Sequence, residues 1–240
     1  MSFRLNTPLR ELTRHTAAAL GAIVILATLA IPASGASSTY YVDCSAGNDS
    51  ASGQSTSLAW RSLSKANAAS LVAGDSLLFK RGCAWTGPLN ARWQGTSSAP
   101  ITIGAYGSGA LPRIENASGA QISVTGKYMV FDSLLTRSNP PGYDSGCQNQ
   151  PQGAIYGWRF MSGSSFNTVR NSEARNLNIG VWLGPGSSNN KIFNNVLADN
   201  NVKDSDPNSD GGAVAVGVHG DDNEIAYNQI SGSDASVECR

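Results

Sequence analysis

Asn167-Thr168-Val169-Arg170-Asn171-Ser172-Glu173-Ala174 returns as Asn190-Lys191-Ile192-Phe193-Asn194-Asn195-Val196-Leu197, and again as Asn223-Glu224-Ile225-Ala226-Tyr227-Asn228-Gln229-Ile230. The shared pattern is Asn-x-apolar-x-x-small polar-x-apolar. A weaker copy runs from Tyr128 to Leu135 and sets Val130 in the place of Val169. The offset from Val169 to Ile192 is 23 residues and from Ile192 to Ile225 it is 33. A second ladder precedes the first. Phe160, Leu183 and Val216 each stand seven residues before a leading Asn, and Trp158, Val181 and Val214 stand two residues earlier. Apolar residues at every second position mark strands with one buried face.

A unit of about 22 residues with short strands and Asn/Gly turns cannot bury its apolar face alone, but stacked copies can. Leucine-rich repeats have a similar period, yet their Leu-x-x-Leu-x-Leu pattern is absent. The expected fold is therefore all-β, a right-handed parallel β-helix. Asn suits its turns because it tolerates left-handed backbone, and amides stacked from coil to coil can hydrogen-bond to one another.

Outward from the repeats, residues 37–114 read as an N-terminal cap module and 115–240 as coils. Tyr40-Tyr41-Val42 and Ser76 to Lys80 are strand-like, and Leu63 to Leu71 suits a short helix that covers the open end of the stack. The chain runs only to Cys239-Arg240 after the last repeat position, Ile230, with no capping element. A stack truncated at its C-terminal end is expected, with further site residues beyond it.

Residues 1–36 have the layout of a secretory signal peptide: Arg4, Arg10 and Arg14, an apolar run from Ala17 to Ile31, then small residues up to Ala36. The apolar run is shorter than the ~20 residues a membrane span needs. A secreted protein without a stable membrane anchor is expected. Charged residues make up 14% of the chain and the formal net charge is zero, with no basic stripe, which argues against nucleic acid as a partner. A monomer is expected. The four cysteines lie in no C-x-x-C pair and suit an oxidising compartment. Cys44 and Cys83 flank strands expected to be neighbours, so they are paired here. A bridge closing a loop of that length stabilises by about 4 kcal/mol at the upper end. Cys147 and Cys239 are left as the second pair.

Tyr40-Tyr41-Val42-Asp43 with Gly47-Asn48-Asp49 resembles the opening of secreted proteins of the pectate-lyase-like superfamily. So do the stretch from Ala73 to Gly82 and the stretch from Ala99 to Gly107, and the Asn-x-Ile-x-x-Asn coils resemble the repeats of that superfamily. The resemblance implies three strands per coil and, as the usual partner, a polysaccharide outside the cell. The superfamily's catalytic motifs are not matched residue for residue, so none is carried over.

Strand parity assigns candidates for chemistry. If Phe160, Leu183 and Val216 face inward, then Arg159, Trp182 and Ala215 form an outward column. Arg159 could fork onto a uronate carboxylate and Trp182 could stack on a sugar ring. The alternative is a surface cation–π pair that only covers the strand. The longer coil carries a ten-residue insertion around residues 200–210, rich in acid: Asp204, Asp206 and Asp210, with Lys203 beside them. With Asp221 and Asp222 beyond the next strand, Asp204 and Asp206 are hard-oxygen donors suited to calcium, or else a solvated acidic loop. Lys203 is the candidate base for β-elimination, or an exposed lysine, while Asp210 and His219 are further acid–base candidates. The expected function is a polysaccharide lyase on uronate-containing polymer. The alternatives are a non-catalytic glycan-binding or adhesin-like β-helix and a glycoside hydrolase using an Asp pair such as Asp210 and Asp222.

Overall fold

The computed structural model describes residues 36–138, 155–200 and 214–232. The signal-like segment, Cys147 and Cys239 lie outside them. Eighteen strands, numbered in chain order, fall into three wholly parallel sheets. Sheet A holds β1 (Thr39–Val42), β2 (Ser76–Lys80), β5 (Ile101–Tyr106), β8 (Met129–Asp132), β11 (Thr168–Arg170), β14 (Lys191–Phe193) and β17 (Glu224–Ala226). Sheet B holds β3 (Ala84–Thr86), β6 (Arg113–Asn116), β9 (Leu135–Ser138), β12 (Glu173–Arg175), β15 (Val196–Ala198) and β18 (Gln229–Ser231). Sheet C holds β4 (Leu89–Ala91), β7 (Gly119–Val124), β10 (Ile155–Phe160), β13 (Ile179–Leu183) and β16 (Val214–Val218). Each coil passes through the sheets in the order C, A, B, so every strand pairs with its counterpart one coil away. This is a parallel β-helix.

The repeat sets where the turns fall. On the C-to-A corner, Tyr128, Phe166, Asn189 and Asp222 all take left-handed backbone, and on the A-to-B corner Ser133, Asn171, Asn194 and Tyr227 do. The leading Asn of each repeat is the residue after that first corner; Asn167 and Asn190 are buried and Asn223, on the last coil, is half-buried. Asn167, Asn190 and Asn223 form a ladder in which the side-chain oxygen of Asn190 accepts the Asn167 backbone N–H at 3.0 Å and that of Asn223 accepts the Asn190 N–H at 2.9 Å. Their amide groups bond along the same line at 3.1 Å. A second ladder runs through Ser172, Asn195 and Asn228. Each ladder satisfies backbone donors that the corners would otherwise bury unpaired.

The interior is mainly apolar, from Leu77, Phe79 and Ile103 at one end to Val169, Ile192 and Leu197 further along. Val169, Ile192 and Ile225 stack in one column, as the repeat predicts. Two alignments need correction. Leu183 pairs with Val218 and Val181 with Val216, so the inward column is Phe160, Leu183 and Val218 rather than Val216. The C-to-A corner of the last coil is two residues shorter: five positions separate Val218 from Asn223, where seven separate Leu183 from Asn190. A slip of two keeps every side chain on its face, so alternation alone cannot detect it. The weaker copy is off by one. Val169 stands opposite Phe131, with Met129 and Phe131 buried and Val130 facing out. Tyr128 holds the left-handed corner position of Phe166, and Met129 takes the place of the ladder Asn.

At the N-terminal end, α1 (Leu63–Ala68) is shorter than the expected Leu63 to Leu71 helix and starts on Ser62, whose side chain accepts the Lys65 N–H. The segment lies along the first strands of sheets B and C. Asn67 accepts the Asn90 N–H and donates to the Pro88 carbonyl, while the indoles of Trp85 and Trp93 donate to the Arg61 and Ala69 carbonyls. These bonds occupy edge groups that would otherwise be open for further pairing. Cys44 and Cys83 form a disulfide with Cα atoms 5.8 Å apart. Beside it Asp43 meets Lys80 at 2.6 Å. Burial works to raise the Asp43 pKa, but the bonds from Lys80, Ser45 and Ala46 outweigh it and hold the carboxyl well below the usual range. Among the described residues no helix is long and apolar enough to cross a membrane.

Candidate functional site

The three outer faces differ in charge. Sheet A carries Lys80, Asp132, Arg170, Lys191 and Glu224, and sheet B carries Arg113, Glu115, Arg137, Glu173 and Arg175. Every ion pair among the described residues involves one of these strands: Lys80–Asp43, Arg113–Glu115, Arg170–Asp132, Arg175 with Glu173 and Asp199, and Lys191–Glu224. Asp132 shows the effect on a carboxylate. Burial would raise its pKa, and bonds from Asn171, Arg170 and Ser133 more than offset that, so it lies below the ordinary value. The five strands of sheet C contain no acidic residue, and their one charged residue is Arg159.

Arg159 pairs in register with Trp182, so the two occupy one outward column on adjacent coils. The next member is Gly217 and not Ala215, the same two-residue slip as in the interior. Arg159 makes no ion pair among the described residues. Its guanidinium lies 4.8 Å from the centre of the Tyr156 ring, so the cation–π contact goes to Tyr156 and not to Trp182. Tyr156 and Arg159 are three residues apart and yet share a face because β10 bends at Gly157, where a Cβ would run into Thr136 and Leu177 inside the helix. The Tyr156 ring meets Trp182 edge-on at 6.0 Å.

Trp182 lies over a bed of two glycines. A Cβ on Gly217 would come within 2.6 Å of the indole, and one on Gly184 within 3.1 Å of its Nε1. A Cβ at Gly217 would clash with the indole and one at Gly184 would crowd it, so the two glycines leave the room in which the ring lies. On the far side, His219 is exposed and its ring centre sits 4.1 Å from that of Trp182. Its backbone N–H donates to the Leu183 carbonyl, which puts His219 in register with Gly184. Arg159, Tyr156, Trp182 and His219 thus form one continuous aromatic and cationic surface. Tyr156 and the two glycines were missed in the sequence. The available signal was glycine recurring at the outward positions around Trp182.

The other candidates fall elsewhere. Lys203, Asp204, Asp206 and Asp210 lie outside the described residues, in the stretch that connects β15 of sheet B to β16 of sheet C. Asp221 and Asp222 are exposed on the C-to-A corner, where Asp221 bridges to Ser188 and Asp222 takes the left-handed position. Among the described residues the one group of three metal-ligating side chains is Asp43, Cys44 and Cys83, and its two sulfurs are joined in the disulfide. Asp221 and Asp222 belong to no such group among the described residues.

No protein-family model matches the chain, and no curated protein matches it. The fold does have solved counterparts. A rhamnogalacturonan lyase superposes with a TM-score of 0.59 at 19% identity over 80% of this chain and 51% of its own. The GH136 lacto-N-biosidase of Eubacterium ramulus gives 0.56 at 17% over 80% and 51%. The alginate lyase of Paenibacillus sp. str. FPU-7 gives 0.50 at 22% over 70% and 56%. The chain spans about half the length of these structures. At such identities the likeness shows the shared β-helix architecture, and function has to be argued from the site.

Proposed function

We propose that the outer face of sheet C binds an acidic polysaccharide and that the protein cleaves it by β-elimination. The observation that carries this reading is Arg159, a guanidinium with no carboxylate partner among the described residues, on a sheet whose strands hold no acid, beside Tyr156 and Trp182. A guanidinium engages a carboxylate through two parallel hydrogen bonds, and an indole offers an apolar face to a sugar ring. Neutralising the uronate carboxylate acidifies the neighbouring C5–H. A base takes that proton, its electron pair becomes the C4=C5 bond, and the glycosidic oxygen leaves C4 and is protonated. His219, at the edge of the Trp182 ring, is the base candidate among the described residues, with Lys203 and Asp210 as the others. Lyases on this architecture lend the reading support by analogy. The disulfide fits secretion. Calcium enters the proposal through Asp204, Asp206, Asp221 and Asp222, and a requirement for it would appear as turnover lost to a chelator and restored by the ion.

Incubation with alginate, pectate and rhamnogalacturonan tests this reading. New ultraviolet-absorbing unsaturated ends are expected from at least one polymer. Retention on the polymer without cleavage would favour a glycan-binding protein. Cleavage without unsaturation would favour a hydrolase using Asp210 and Asp222.

A further inference from the structure

A second cation faces out of sheet C, far from Arg159. Arg92 follows β4 directly and is exposed between buried Ala91 and Trp93. The Thr125 N–H donates to the Ala91 carbonyl and the Met161 N–H to the Val124 carbonyl, so the pairing of β4, β7 and β10 continues through Arg92, Thr125 and Met161. Arg92 and Arg159 therefore lie on one face two coils apart and two strand positions out of line, about 12 Å between their backbones at the usual strand spacing and rise. Between them Ser123 and Thr125 present only short hydroxyl side chains. Arg92, like Arg159, makes no ion pair among the described residues. Its Nη2 donates to the Asn67 carbonyl at the end of α1, which fixes the side chain in place. It opens on a cleft of about 430 Å³ between residues 69–73 and Arg92-Trp93-Gln94. Exposed Lys127 bridges to Gln94 at the margin of that cleft.

Resting on the proposed polysaccharide reading, we infer that Arg92 and its cleft form a second carboxylate subsite. One acidic polysaccharide chain then runs along the helix axis, with a uronate on Arg159 and another on Arg92. Two coils match the length of a disaccharide step, so both cations engage only when the chain is long enough. Arginines that make no ion pair among the described residues, on a sheet whose strands hold no acid, are open to an added carboxylate, whereas Arg113, Arg170 and Arg175 on sheets A and B are already neutralised.

The test is chain-length-dependent binding of oligogalacturonate and oligoalginate, as disaccharide and hexasaccharide, to the full chain. Arg92→Gln should weaken hexasaccharide binding about threefold to tenfold and leave the disaccharide unchanged. Arg92→Lys should retain most of the hexasaccharide affinity. Carboxyl-reduced hexasaccharide should bind wild type and Arg92→Gln alike. Arg159→Ala should weaken both lengths. Thermal melts of each variant separate loss of binding from loss of the Asn67 contact. An unchanged hexasaccharide affinity in a folded Arg92→Gln protein, with Arg159→Ala still damaging, overturns the second subsite alone. Wild type that binds neither uronate oligomer removes the underlying reading as well.

Discussion

Sheets A and C are built from the same coils, by the same alternation and against the same apolar interior, and yet their outer faces are finished differently. On sheet A, outward positions carry opposite charges that meet across coils, Arg170 on Asp132 and Lys191 on Glu224. On sheet C, the outward column reads Asn90, Ser123, Arg159, Trp182 and Gly217, with no acid in any strand. Stability is served equally well by either finish, because exposed ion pairs contribute little. The difference shows that the two outer faces are finished independently of the interior they share, and under the proposed function sheet C is the face that binds.

Four sets of measurements probe that contrast, beginning with the part the two sheets share. Leu183→Asp places a carboxylate at a fully buried position, between buried Phe160 and the more exposed Val218 of the next coil. A loss of more than about 4 kcal/mol is expected, seen as unfolding in urea, because the charge has no partner there. A folded variant of near wild-type stability would mean that the interior register is wrong.

Asn190→Ala removes the rung between Asn167 and Asn223 and leaves the Asn167 N–H without its acceptor. A loss of about 1–3 kcal/mol is expected in chemical denaturation, the usual cost of a buried unpaired donor. The same truncation at exposed Asn194, whose amide bonds only to Asn171 on the surface, should cost less.

The same change on the two faces separates stability from binding. Arg170→Ala breaks the 2.7 Å pair with Asp132 and should cost about 0.2–1 kcal/mol with no change in glycan affinity. Trp182→Ala should leave the melting temperature within a few degrees and abolish most glycan retention, as should Gly217→Val, which drives the indole off its bed. Equal effects of Arg170→Ala and Trp182→Ala on binding would erase the distinction between the faces.

The smallest effect is in acid. The folded pKa of Asp132 lies below its ordinary value, so its pairing stabilises the fold above the ordinary carboxylate range and is lost as pH falls below it. Comparing wild type with Asp132→Asn in denaturation at neutral pH and in acid should show a gap that narrows as pH falls. Arg159→Gln on sheet C should show no such narrowing over the same range. The exposure of the Arg170 partner keeps the Asp132 gap within a few tenths of a kcal/mol.

Much of this was legible beforehand at particular residues. The Asn ladders, the Val169–Ile192–Ile225 column, the Cys44–Cys83 bridge and the neighbourhood of Arg159 and Trp182 all follow from repeat spacing and strand parity. Val218 was missed in favour of Val216 because a corner shortened by two residues leaves parity intact. The Tyr128 copy slipped by one because Met129 replaces the Asn that marks the register elsewhere. Tyr156 was missed because alternation from Phe160 turns it inward, and the bend at Gly157 reverses that.

The sequence by itself determined that apolar positions recur with the period of a coil, and so that the chain must stack, because no single repeat can bury its own face. Which outward residues meet was left to the tertiary structure. Corner lengths, glycine bends and the space above Gly184 and Gly217 decide where a side chain comes to rest, and these are contacts between coils rather than properties of any one of them. The partnering of charges on sheets A and B, and the absence of acid from the described strands of sheet C, became visible only when residues distant in the chain were set side by side.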